Sequence, residues 1–234
     1  MQFPATELVL DANGAVYHLG LQPAQLASKI ILVGDQDRVS KISRFFDTIE
    51  HRVQHREFVS HTGTFQGKRL TVLSTGIGTD NIDICMAELD ALVNIDLSTR
   101  TEKVNKSRLE IVRIGTCGML QANMELHSFV LSSHALGLDN IAHFYPIEWS
   151  QEEQHLLTQV KTQVSFPIGI APYLSAACPE MVQKFASDQV RKGITVTSSG
   201  FYGPQGRSLR LPSLMPNIHL ALGNFEHEGL QIVN

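Results

Sequence analysis

Short apolar blocks separated by polar turns run along the whole chain. Lys29–Val33 (KIILV) is a compact aliphatic run, and a run of that length predicts a strand. It enters Gly34-Asp35-Gln36-Asp37-Arg38 and then VSKISRFF, where apolar residues recur at helical spacing. Asp35 or Asp37 supplies the helix cap. HTGTF and KRLTVLST flank Gln66-Gly67, a tight-turn pair, so a hairpin is expected within 59–75. Thr75-Gly76-Ile77-Gly78 follows, and residues 81–93 repeat as a periodic helix. Residues 94–108 are polar and read as a surface excursion. HSFVLSSHA continues the sheet, SQEEQHLLTQVKTQV is a Ser-capped amphipathic helix, and PYLSAACPEMVQKFA reads as another helix that Pro179 breaks or restarts. ITVTSSGFYGPQGR is a strand running into a Gly-rich polar loop. Strands alternating with helices predict an α/β fold: a single domain with a central mixed β-sheet flanked by helices.

The chain is organised around residues 109–118, LEIVRIGTCG. The aliphatic first half predicts a buried strand, and Arg113 then interrupts it ahead of Gly115-Thr116-Cys117-Gly118. A lone guanidinium is costly to bury, so Arg113 meets either an anion at the strand's end or an internal ion pair. The glycines admit a close backbone approach, and Thr116 adds a hydroxyl and an N–H. Open α/β folds bind ligands at this carboxyl edge of the sheet. Gly34 with Arg38 just behind it reads in two ways, as a phosphate-holding helix start or as a capped turn with a solvated arginine. Gly76 and Gly78 begin a dinucleotide-type fingerprint, but Asn81 stands where its third glycine belongs, which rejects that reading.

The 234 residues are 43% hydrophobic and 18% charged, enough for one sizeable core. A net charge of -4 gives no general affinity for nucleic acid or anionic membrane. Three widely spaced cysteines show neither zinc nor disulfide spacing, and the ten histidines show no ligand spacing, so no metal is expected. With no signal-peptide pattern and no apolar stretch of spanning length, a cytoplasmic protein is expected.

The order of five short patterns is more specific than any one of them. GDxxRV at 34–39, REF at 56–58, TGxxxGxxLxVxxTGIG at 62–78, RIGTxG at 113–118 and FYxxQxR at 201–207 occur in succession. This order resembles the nucleoside phosphorylase superfamily and, within it, the uridine phosphorylases. The excursion at 94–108 resembles an insertion found in some members. The resemblance implies a pentosyltransferase that carries out reversible phosphorolysis of uridine, or of deoxyuridine, in pyrimidine salvage. Inorganic phosphate would be the co-substrate, with no cofactor and no metal. By this resemblance Gly34, Arg38, Arg113 and Thr116 hold phosphate, with Gly115 shaping the loop. Arg56 resembles the phosphate-binding arginine that reaches into a neighbouring subunit's site, and His18 the histidine that crosses the dimer interface to touch ribose. Cys117 and Gly118 line the sugar and base pocket, Cys117 standing where many relatives carry Thr. Phe201 packs on the base, while Gln205 and Arg207 bind the uracil edge and, with Arg113, carry the catalysis. The implied assembly is a homodimer or a hexamer of dimers.

The family's second signature is Asn, an aromatic residue, then Glu-Met-Glu. Asn224-Phe225-Glu226-His227-Glu228 nearly matches it, but His227 replaces Met and the spacing from Arg207 is short. Residues 222–229 are therefore expected to be a polar turn with solvated carboxylates, and Ile232-Val233-Asn234 the strand that enters the true motif. On that reading the domain at 1–234 is incomplete at its carboxyl end. On the minority reading Glu226 and Glu228 are ribose ligands. The alternatives are a purine phosphorylase or nucleosidase, and a truncated, inactive nucleoside-binding remnant.

Overall fold

The computed structural model describes residues 2–234, which form two compact units, Met1–Thr116 and Cys117–Asn234. In the first unit, β1 (Lys29–Val33), α1 (Gln36–Ser43), β2 (Thr48–His55), β3 (Phe58–Phe65), β4 (Lys68–Ser74) and α2 (Thr79–Asn94) are followed by β5 (Ile95–Asp96), β6 (Thr101–Glu102) and β7 (Glu110–Ile114). The sheet order is β2-β3-β4-β1-β7. β1 pairs in parallel with both β4 and β7, while β3 is antiparallel to β2 and β4. This is the expected α/β class with a mixed sheet and flanking helices.

The aliphatic run of β1 has two faces to cover. Ile30 and Leu32 join Leu73 and Phe58 in a core with Cys85, Leu89 and Leu92 of α2. Ile31 and Val33 pack with Val72, and with Val39 and Ile42 of α1. Strand side chains alternate in direction, so this continuous run requires a helix on each side. Asp35 is the α1 cap, its carboxylate accepting from the Asp37 N–H at 3.0 Å. The helix ends at Ser43, earlier than VSKISRFF suggests. The Gln66-Gly67 hairpin forms as expected, with both residues at positive φ.

Two departures involve the sheet edges. β7 is an edge strand rather than a buried one: Ile111 and Val112 are half-buried, and Arg113 and Ile114 are exposed. β2, at the other edge, exposes alternate residues of a polar sequence, TIEHRVQH, that carries little apolar signal. Residues 94–108 do lie at the surface, but β5 and β6 pair there as a short hairpin.

The second unit contains β8 (Phe129–Gly137), α3 (Gln151–Gln163), β9 (Tyr173–Ala176), α4 (Pro179–Phe185), β10 (Val190–Thr197), α5 (Ile218–Gly223), β11 (Glu226–His227) and β12 (Leu230–Gln231). HSFVLSSHA forms a strand, in a separate sheet ordered β10-β8-β9. Ser150 caps α3 through a reciprocal box with Glu153. PYLSAACPEMVQKFA is strand then helix: residues 173–176 pair antiparallel with β8 before α4 starts at Pro179. Leu156 and Val160 of α3 pack with Leu136, Leu174, Ile194 and Phe225. Val233 N–H donates to Ile194 O at 2.9 Å and Val196 N–H to Asn234 O at 2.8 Å, so the last residues run beside β10. No helix among the described residues is long and apolar enough to cross a membrane.

Gly63 sits where β3 meets the irregularity in β2 between Ile49 and His51. A β carbon there would lie 2.0 Å from Thr48 O and 3.0 Å from Ile49 Cα, both backbone atoms that cannot swing aside. Gly63→Ala should cost about 1–3 kcal/mol, read as a lower urea midpoint. An unchanged midpoint would contradict this account of the sheet edge.

Candidate functional site

Parallel pairing places three strand ends side by side. Val33 of β1 is level with Ser74 of β4 and Ile114 of β7, so Gly34, Thr75 and Gly115 leave the sheet at one carboxyl edge. Thr75 is fully buried and donates both its N–H and its hydroxyl to Val33 O. Arg38, in the first turn of α1, donates from Nη1 to Ile114 O at 3.3 Å. Arg113 points into the same loops. A β carbon at Gly34 would lie 3.6 Å from its Nη2, and one at Gly115 would lie 2.6 Å from its Nη1. Residue 115 therefore has to be glycine for the guanidinium to keep its place.

Arg113 is exposed along much of its side chain, yet its guanidinium is packed against backbone. Desolvation first, and the like charge of Arg38 second, hold it below the ordinary arginine range. It remains a cation at neutral pH. Among the described residues neither Arg38 nor Arg113 has a carboxylate partner. The internal ion pair that the sequence left open is thus not formed. Two neighbouring guanidinium groups beside loop N–H donors form a site that favours an oxyanion. Thr116 is exposed at the end of this segment.

Arg56 is placed differently. It occupies the β2–β3 turn with φ 52, and its carbonyl accepts from Gln36 Nε2 at 3.2 Å. Its guanidinium reaches Tyr17, donating from Nη2 to the hydroxyl at 3.1 Å and lying 5.2 Å from the ring centroid. Tyr17 also meets the ring of His18 edge-on at 5.1 Å. The structure therefore joins Arg56 to His18 through Tyr17, and not to Arg38 and Arg113. Glu88 of α2 holds His18, with an oxygen 2.6 Å from Nδ1. Tyr17 and Glu88 were not singled out in the sequence. The available signal was an acid on the apolar face of α2, next to Leu89 and one turn from Cys85. Burial, then the Glu88 and Glu57 carboxylates, push the Cys85 thiol up to about 12, so it stays protonated.

The second unit gathers the remaining candidates. Arg207 lies over the Phe201 ring at 4.1 Å, donates to Phe201 O at 2.9 Å, and donates to Gln205 Oε1. Tyr202 meets Phe201 edge-on at 5.2 Å. A β carbon at Gly118 would lie 3.5 Å from Arg207 Nη2, an ordinary contact distance. Phe201, Gln205, Arg207 and Gly118 thus come together, with the guanidinium covering one face of the Phe201 ring and held there by the Gln205 amide oxygen. Cys117 is exposed beside Gly118 in the chain. Glu226 and Glu228 lie on the β11–β12 hairpin, exposed to solvent, and Glu226 accepts from Gln231 Nε2 at 3.1 Å. Phe225, next to them, is buried in the core. Among the described residues no three His, Cys, Asp or Glu side chains group as a metal site.

The first unit thus gathers two guanidinium groups at its sheet edge, and the second unit an aromatic ring with amide and guanidinium groups. The family model for the phosphorylase superfamily matches residues 28–223, and the chain belongs to that superfamily. It is 26% identical over 207 residues to a uridine phosphorylase of Thermococcus kodakarensis, covering 88% of this chain and 63% of that protein. It is 31% identical over 195 residues to a uridine phosphorylase of Haemophilus influenzae, covering 82% of this chain and 65% of that one. The chain thus spans slightly under two thirds of these relatives. A solved Trypanosoma brucei nucleoside phosphorylase, described as showing uridine phosphorylase activity, superposes with a TM-score of 0.86 at 30% identity, covering 97% of this chain and 81% of that structure.

Gly115 and Gly118 should respond differently to an added methyl. In Gly115→Ala the clash falls on the end of a flexible side chain, so stability should hold while Arg113 is displaced. Calorimetric affinity for inorganic phosphate should fall about tenfold, the loss of one charge-assisted contact. Gly118→Ala should leave phosphate binding within about twofold, because a 3.5 Å contact is tolerated. Equal effects from the two variants would contradict the assigned geometry.

Proposed function

We propose that this protein catalyses reversible phosphorolysis of uridine, yielding uracil and ribose 1-phosphate, with deoxyuridine as a second substrate. The observation that carries the reading is the Arg38–Arg113 pair, without a carboxylate partner among the described residues, beside Gly34 and Gly115. A site built to receive a dianion supports phosphate as the attacking group rather than water. The similarity to uridine phosphorylases supports the nucleoside class.

Phosphorolysis breaks the bond between C1′ and the base nitrogen as a phosphate oxygen bonds to C1′. Positive charge grows on the sugar and negative charge on the departing uracil. Arg38 and Arg113 concentrate and orient the phosphate, whose own charge then stabilises the cationic sugar. Thr116 adds a hydroxyl and an N–H to that anion. On the base side, Phe201 offers a stacking face, Gln205 an amide that both donates and accepts, and Arg207 a cation where the leaving base becomes anionic. With the uracil anion stabilised in this way, no general acid is required. Cys117 and Gly118 border the sugar and base.

His18 and Arg56, joined through Tyr17, serve the site of an adjacent subunit in a homodimer or a hexamer of dimers, His18 on ribose and Arg56 on phosphate. No cofactor or metal takes part, and the setting is cytoplasmic pyrimidine salvage. Glu226 and Glu228 are surface carboxylates in this reading and do not bind ribose.

The test is uracil release from uridine by the purified chain, with and without inorganic phosphate, alongside hypoxanthine release from inosine. Phosphate-dependent release of uracil, with little hypoxanthine, is expected. Release without phosphate would make the protein a nucleosidase, and faster release of hypoxanthine a purine phosphorylase. No release from folded protein would leave a nucleoside-binding remnant.

A further inference from the structure

Glu88 makes more hydrogen bonds than a surface acid needs. Its carboxylate accepts from the His18 N–H at 3.0 and 3.1 Å, from the Leu19 N–H at 2.8 Å, and lies 2.6 Å from His18 Nδ1. The Glu88 side chain is 15% exposed and that of His18 34%, so the imidazole is gripped on its inner side and open on its outer side. The turn that carries His18 is fixed from other directions too. Leu19 and Leu21 are core residues, and His55 Nδ1 donates to His18 O at 3.0 Å.

A carboxylate offers no proton, so the nitrogen facing it has to carry one. In a neutral imidazole that leaves Nε2 as the acceptor, because the hydrogen bond at one ring nitrogen sets the state of the other. We propose that Glu88 is a positioning residue that keeps the proton of neutral His18 on Nδ1 and so presents Nε2 outward as the acceptor for a sugar hydroxyl. This rests on the reading of His18 as the ribose contact. It adds the group that decides which way the hydrogen bond runs.

Glu88→Gln is an informative change because it keeps size and shape. The Gln oxygen can still accept from the two backbone N–H groups, which turns its NH2 toward Nδ1. The neutral ring then has to accept at Nδ1 and carry its proton on Nε2, reversing the donor–acceptor sense at the sugar. The first readout is nitrogen-15 NMR of the ring at about pH 8.5, above the ordinary imidazole range, with the His18 signal identified by its loss in His18→Ala. The wild-type ring should carry its proton on Nδ1, and the Glu88→Gln ring on Nε2.

The second readout is steady-state kinetics with uridine. Glu88→Gln should raise KM by no more than about threefold with kcat within about twofold, because a sugar hydroxyl can accept from Nε2–H as well as donate to Nε2. His18→Ala, which removes the contact, should raise KM about tenfold, and the double variant should be no worse than His18→Ala alone. A wild-type proton on Nε2 would overturn the proposal, as would effects of the two substitutions that multiply in the double variant. If the wild-type chain releases no uracil at all, the phosphorolysis reading fails while the NMR result still decides the role of Glu88.

Discussion

Arg38 and Arg113 stand together at the end of three aligned strands with, among the described residues, no carboxylate partner, and the surrounding chain is arranged to allow it. Like charges in a partly desolvated place repel, and an oxyanion offsets that cost. The alignment depends on β1, which pairs in parallel on both sides and sets Gly34, Thr75 and Gly115 at one level. β1 can be central because its aliphatic residues are covered on both faces, by α1 and by α2. A change that tilted either helix would move the strand end, and with it the spacing of the two guanidinium groups. Gly115 is the other half of this arrangement, since a β carbon there would lie 2.6 Å from Arg113 Nη1.

The cluster in the second unit rests on different physics. Phe201, Gln205 and Arg207 lie on an irregular loop after β10, organised by local contacts rather than by strand ends. A 3-10 turn at Gly203–Gln205 and a left-handed Gly206 fold the loop so that Arg207 returns over Phe201. The guanidinium satisfies both a backbone carbonyl and the Gln205 amide oxygen. A planar cation on an aromatic face can hold a flat heterocycle by stacking and by edge contacts.

Much of this was legible in residue patterns. KIILV followed by Gly-Asp reads as strand, turn and capped helix because its signals are local. The Gln66-Gly67 hairpin and the Ser150 box were legible for the same reason. What was missed depends on tertiary position. β2 is polar because it is an edge strand with exposed side chains, so it gave no apolar signal. Residues 173–176 read as helix in the sequence because four residues are too few to show a period, and pairing with β8 decides their state. The edge position of β7 could not be seen in LEIV, which reads as buried in any setting. Arg113 stands out in the sequence, whereas its lack of an ion-pair partner among the described residues is a matter of tertiary position. Glu88 stayed hidden because its meaning lies in contacts with His18, 70 positions away.

In the proposed function the strand-end arginines hold the anion and the loop after β10 holds the base. Calorimetric titration of Arg113→Ala with inorganic phosphate and, separately, with uracil tests it most directly. The account predicts that phosphate affinity falls at least about tenfold while uracil affinity stays within about twofold of wild type. Undiminished phosphate binding, or equal loss of both ligands in a folded variant, would contradict it.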